Sequence, residues 1–247
     1  MSAGRGGGRE APTTAVRVLV AVLLVVVAAA GCAGTAGPAG PPLEPAGPAV
    51  MYVAVGASDA VGLGADRPLS QAWPQVLYRT AMTRATTFVN LAAEGSTVAD
   101  ALAQQVPSAR DLEPSLVTVS LGVNDLRAEV DPADYEEQLG SLVRRLRRGG
   151  AARVLVANTP PIDHLPAYVA EAGGSFPASD DLLALVTAYN QAVARVAAVE
   201  GAELVDLHAA GMAARAEGAE ASLVAADGFH PSTAGHARIA AAFAAVL

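Results

Sequence analysis

Past residue 49 the chain alternates between two kinds of hydrophobic pattern. Short, nearly continuous apolar runs rich in Val and Leu lie at 50–55, 87–91, 116–121, 153–157 and 203–207. Each is too short for a helix and lacks the strict alternation of a strand with one wet face. The pattern therefore predicts strands buried on both sides of a parallel sheet. Between the runs, apolar residues recur at spacings of three and four. The clearest case follows Asp131 and Pro132, a favourable N-cap and first helical residue. Tyr135, Leu139, Leu142, Val143 and Leu146 then define one buried face. Asp134, Glu136 and Glu137 stand near the start of this helix and Arg144, Arg145, Arg147 and Arg148 near its end, complementing the helix dipole, and Gly149-Gly150 offers the stop. A second helix is predicted after Asp180, with Leu182, Leu185, Val186, Tyr189, Val193 and Val196 facing inward. A last one runs from Ser232 to the C-terminus through Ile239, Phe243 and Val246. Alternation of this kind, without an internal repeat, predicts an α/β fold: a three-layer α/β/α sandwich around a central parallel sheet of about five strands. In such folds ligands collect at the carboxyl ends of the strands.

The first 49 residues follow a different logic. Residues 1–17 carry Arg5, Arg9 and Arg17 against one acid, Glu10, and 18–30 is an uncharged apolar run of 13 residues. A membrane span needs roughly 20, so the run fits the core of a signal peptide. It ends in Ala29-Ala30-Gly31-Cys32, and Cys32 is the single cysteine of the chain. Small residues directly before a cysteine resemble the lipobox of bacterial lipoproteins, with Ala29 in place of the usual Leu. That resemblance implies cleavage after residue 31, acylation of Cys32, and anchoring on the extracytoplasmic face of the cell membrane; plain secretion is the alternative. Prolines 38, 41, 42, 45 and 48, mixed with Gly and Ala, make 32–49 a tether. The domain organisation expected is therefore 1–31 signal peptide, 32–49 lipidated Cys and tether, and 50–247 a single catalytic-size domain.

Composition narrows the partners. Of 247 residues, 52% are apolar and 16% charged, which argues against a disordered chain. Every basic residue is Arg, and the formal net charge is −8. Without residues 1–31, 13 Arg face 23 acids, for −10. Phosphate backbones need a cationic face, so nucleic acid is excluded as a partner. The arginine cluster at 144–148 belongs to a helix end.

Four blocks at strand ends carry candidate chemistry. After the first strand comes Gly56-Ala57-Ser58-Asp59, where a glycine turn presents a serine hydroxyl at the sheet edge. After the second, Gly95 precedes a helix start, so its N–H can face the same cleft. After the third, Gly122-Val123-Asn124 places a side-chain amide there. Near the C-terminus, Asp227-Gly228-Phe229-His230-Pro231 sets an acid and an imidazole three residues apart on a loop before a helix. Each block alone reads equally well as a turn or a cap. Together, in this order and across residues 50–247, they resemble the SGNH hydrolases, the GDSL-type esterases and lipases. The resemblance implies a flavodoxin-like sheet and a serine hydrolase acting on small-molecule or lipid esters. It implies Ser58 as nucleophile, His230 as base, Asp227 as the triad acid, an oxyanion hole of Ser58, Gly95 and Asn124, and no cofactor or metal. One departure is plain: the family reads Gly-Asp-Ser where this chain reads Gly-Ala-Ser, with Ala57 at the acid's place. His164, His208 and His236 are weaker candidates, and Asp59 and Asp125 are expected to act as loop and cap acceptors. The segment 158–161 is expected to wall the cleft, and 162–179 is a lid, an acyl-pocket loop or a plain connection. Acyl transfer, thioester cleavage, a non-catalytic glycan or lipid module and a flavin or nucleotide binder stand as rivals. The last relies on glycines 56, 62 and 64, which lack phosphate-loop spacing.

Overall fold

The computed structural model describes residues 49–170 and 179–247. The predicted signal peptide, Cys32, nearly all of the predicted tether and the stretch 171–178 of the 162–179 segment lie outside the described residues. Among the described residues, five parallel strands form one sheet in the order β2-β1-β3-β4-β5. They are β1 Val50–Gly56, β2 Thr86–Asn90, β3 Leu116–Ser120, β4 Arg153–Ala157 and β5 Glu203–Val205. Register is set by apolar partners such as Val53↔Val117, Val117↔Val154 and Val156↔Leu204.

The helices are α1 Ser58–Val61, α2 Pro68–Gln71, α3 Trp73–Ala81, α4 Val98–Asp100, α5 Val106–Asp111, α6 Val123–Arg127, α7 Pro132–Arg147, α8 Pro166–Ala170, α9 Ser179–Glu200, α10 Leu207–Ala216 and α11 Thr233–Ala244. A π-helical turn, Ala101–Gln105, joins α4 to α5. Because side chains alternate along a strand, each strand feeds two cores. Val53, Val55, Val117, Val119, Val154 and Val156 pack with the buried faces of α7 and α9. Tyr52, Ala54, Leu155 and Val205 pack on the other side with Trp73 and Leu77 of α3 and Phe243 of α11. Both faces are covered, which is why the strands read as unbroken apolar runs.

The helix predicted after Asp131 holds in detail. Asp131 caps α7 by accepting from the Ala133 N–H at 2.8 Å, and all five predicted face residues are buried. The arginines at its end are structural: Arg144 pairs with Glu200 at 2.5 Å and Arg148 with Glu113 at 3.2 Å. The helix stops one residue before the glycines, with Arg148 itself left-handed at φ 49°. Two boundaries move for identifiable reasons. The fifth strand ends at Val205, because the Asp206 side chain accepts from the Ala209 N–H and caps α10, so Leu207 belongs to a helix. The final helix ends at Ala244 rather than running to the C-terminus.

Candidate active site

The carboxyl ends of β1, β3 and β4 and the loop before α11 converge on one mainly apolar cleft, enclosing about 190 Å³. Ser58, Asn124 and His230 line it, and the predicted wall 158–161 does too. Ile162 and Leu165 continue that wall, so the described start of the 162–179 segment borders the cleft.

Ser58 opens α1 directly after β1. The turn is tight because residue 56 is glycine: a Cβ there would sit 2.7 Å from that of Ala60. The Asn90 side chain donates to the Ala60 carbonyl at 2.7 Å and pins α1 to the end of β2. Gly64, at φ 87°, lets the following turn pass against the loop before α11, where a Cβ would lie 2.3 Å from the Pro231 carbonyl and 2.9 Å from the His230 Cβ. Of the glycines behind the flavin-binder reading, Gly56 thus shapes the serine turn, Gly64 admits the histidine loop, and Gly62 packs against Pro68 and Ala72.

His230 Nε2 lies 3.1 Å from Ser58 Oγ, across 172 residues of chain. Its Nδ1 lies 2.6 Å from Asp227 Oδ2. Asp227 Oδ1 accepts the backbone N–H groups of Phe229 and His230, both at 2.9 Å, so the carboxylate holds its own loop as well as the imidazole. Burial works to raise the Asp227 pKa, but these bonds outweigh it and leave it below the ordinary carboxyl value. Phe229 stands edge-on to His230 at 4.9 Å, with the Arg127 guanidinium 5.5 Å over its ring.

Asn124 sits in α6, just beyond Gly122. Its Nδ2 donates one hydrogen to the Ser96 carbonyl at 3.1 Å, which leaves the second for another acceptor. Gly95 precedes Ser96 in the turn before α4 and is therefore close to Asn124, but it is exposed and outside the cleft lining. The adjoining Asp125 is fully buried, and its Oδ1 accepts the Val98 N–H at 2.9 Å, tying α6 to α4. Burial pushes its pKa up to about 6, against the hydrogen bond from Val98.

The other histidines take different places. His236 is buried in α11 and its Nε2 bonds the Leu63 carbonyl at 2.9 Å; burial lowers its pKa. The His208 backbone N–H donates to Asn158 Oδ1, whose Nδ2 donates to Asp206, so this group closes the β4–β5 edge. His164 lies 3.5 Å from both Asp163 and Glu220. Sequence reasoning missed two partners of Asp59: the Ser120 hydroxyl at 2.7 Å and the Trp73 indole N–H at 3.1 Å. It also missed the α10 wall, where Ala210, Gly211 and Ala214 face the cleft. Helical spacing after Asp206 was the available signal for that wall.

A sequence profile described as the GDSL-like Lipase/Acylhydrolase family matches residues 53–238. The chain is 27% identical to the esterase TesA of Pseudomonas aeruginosa over 189 residues, 76% of this chain and 82% of the relative. The crystal structure of TesA superposes with a TM-score of 0.60 at 25% identity, covering 80% of this chain and 97% of that one. A phospholipase A1 from Streptomyces albidoflavus has the same fold, with a TM-score of 0.64 at 20% identity, covering 81% and 100%.

Proposed function

Because the chain belongs to the GDSL-like Lipase/Acylhydrolase family, we propose that it hydrolyses carboxylic esters with Ser58 as nucleophile, His230 as general base and acid, and Asp227 as the group that orients the imidazole. The observation that carries this reading is the unbroken chain of contacts Ser58 Oγ, His230 Nε2, His230 Nδ1 and Asp227 Oδ2, at 3.1 and 2.6 Å, with Ser58 and His230 lining an apolar cleft.

A serine hydroxyl is a weak nucleophile at neutral pH and needs an adjacent base. His230 takes the Ser58 proton as Oγ attacks the ester carbonyl carbon. Asp227 keeps the proton on Nδ1 and stabilises the imidazolium without accepting the proton itself. The carbonyl oxygen gains negative charge and is met by the free Asn124 amide hydrogen and the Ser58 N–H; the Gly95 N–H, which the family resemblance adds as a third donor, comes from the exposed turn beside Asn124. His230 then gives its proton to the leaving alcohol, and the bond from the carbonyl carbon to that oxygen breaks. Water repeats the sequence on the acyl-enzyme, releasing the acid and free Ser58. The apolar lining suits an acyl chain or another lipid-like group, and each methylene it buries contributes about 0.8 kcal/mol.

The N-terminal sequence supports an exported protein, held on the outer face of the membrane by acyl chains on Cys32. Two or more chains give stable anchoring where one does not.

Turnover of p-nitrophenyl acetate, butyrate and longer esters by the full-length protein tests the chemistry. Ser58→Ala is expected to lower kcat by more than about 10⁴-fold and to abolish covalent labelling by a fluorophosphonate. A folded parent that neither turns over any ester nor labels removes the hydrolase reading.

A further inference from the structure

Where the family pattern has an acid before the serine, this chain has Ala57, which is buried in the core. The consequence is visible in α1. Ala57 is its N-cap residue and makes no side-chain cap bond, so a four-residue helix that carries the nucleophile begins without the usual acceptor. So short a helix does not hold its shape unaided. An acid stands instead directly after the serine, in the first turn of α1. Asp59 Oδ2 accepts from the Ser120 hydroxyl at 2.7 Å and from the Trp73 indole at 3.1 Å. Ser120 is the last residue of β3, four residues before Asn124. Trp73 is 0% exposed and lies flat on Phe243, with ring centroids 4.3 Å apart and planes 5° from parallel.

We propose that Asp59 is a positioning residue that fixes Ser58 relative to Asn124. It does so by clamping α1 to the end of β3 on one side and to the buried face of α3 on the other. The role rests on the ester-hydrolase reading above. Asn90 secures the far end of α1, through Ala60, and Asp59 secures the near end. Two side-chain donors meet the carboxylate, so its charge is satisfied locally rather than set free beside the developing oxyanion. Asp59 borders the cleft, and its carboxylate is engaged by Ser120 and Trp73, through which it acts on Ser58. A displacement of Ser58 by about 1 Å is enough to cost up to roughly a hundredfold in rate.

Three properties make the proposal testable in the full-length protein. Trp73 is the chain's single tryptophan, so its emission reports the Asp59 bond directly. Fluorophosphonate labelling reads the reactivity of Ser58 independently of ester binding. Asn at position 59 keeps a carbonyl acceptor for Ser120 or Trp73. The variants to compare are Asp59→Ala, Asp59→Asn, Ser120→Ala and the double Asp59→Ala/Ser120→Ala. Asp59→Ala is expected to lower kcat and the labelling rate roughly ten- to a hundredfold, with KM within about twofold of the parent, and to shift Trp73 emission. Asp59→Asn restores most of the rate. The double variant loses less than the product of the two single losses, because both remove one link. If Asp59→Ala does not fold, Ser120→Ala must still slow labelling, and Asp59→Asn must still label near the parent rate.

Labelling at the parent rate in folded Asp59→Ala, a rise in KM alone, or fully multiplicative losses would overturn the positioning role while leaving the hydrolase reading intact. A parent that neither labels nor turns over esters overturns both.

Discussion

One hydrogen of the Asn124 amide fixes the side chain on the Ser96 carbonyl, and the other is free to meet the oxyanion of the proposed reaction. Asn124→Ala is expected to lower kcat by about 10²–10³ while KM changes little, as loss of a donor used mainly in the transition state should; steady-state kinetics on a short ester checks it. Its neighbour Asp125 yields a different kind of prediction, because its folded pKa of about 6 lies above the ordinary value of 3.8. Below about pH 4 the group is largely protonated whether the chain is folded or not, and above about pH 6 the folded state must hold a buried charge. On this account stability falls as pH rises through the window from 4 to 6, and the cost persists at neutral pH. Asp125→Asn keeps an acceptor for the Val98 N–H and removes the charge. It should raise urea-unfolding stability at pH 8 by on the order of 1–2 kcal/mol, with the gain shrinking toward pH 4. A gain that is the same at every pH would refute this assignment.

At the scale of elements, the strands were legible and several helices were not. Strands covered on both faces need apolar residues at every position, so β1, β3 and β4 stand out in a one-dimensional reading. The helix α10 did not, because Leu207 reads as a continuation of the apolar run of β5, and only the hydrogen bond from the Ala209 N–H to Asp206 shows the chain turning there. In the proposed reaction that helix would bear on specificity. Its Ala210 faces the cleft and Gly211 packs so closely that a Cβ would meet Pro161 at 2.4 Å. A larger residue at 210 has cleft space to fill, whereas one at 211 has none. Ala210→Phe should therefore lower kcat/KM for acyl chains of about ten carbons by tenfold or more, since each methylene excluded forfeits about 0.8 kcal/mol, and should leave p-nitrophenyl acetate nearly unaffected. A uniform loss over the whole chain-length series would count against α10 as a wall of the acyl site.

For the whole molecule, the charge of −10 beyond residue 31 and the apolar cleft suit a neutral ester better than a polyanion. If Cys32 is acylated as proposed, Cys32→Ser should move the protein from the membrane fraction to the soluble one and abolish labelling by radioactive palmitate. Ser58, Asn124, Asp227 and His230 came from short blocks that each read alone as a turn or a cap, and it was their order along the chain, with its resemblance to the SGNH hydrolases, that singled them out. The Asp227–His230 pair is local: three residues apart, it is held by the backbone N–H groups of its own loop. What the chain alone did not determine were the distances between blocks. The 3.1 Å from His230 to Ser58 spans 172 residues and depends on Gly64 admitting the final loop. The partners of Asp59 come from α3 and β3, 14 and 61 residues away. Local patterns decide which residues stand at a strand end, because burial and backbone geometry act over a few residues. Which strand ends meet depends on packing between segments far apart in the chain, and only the tertiary structure decides that.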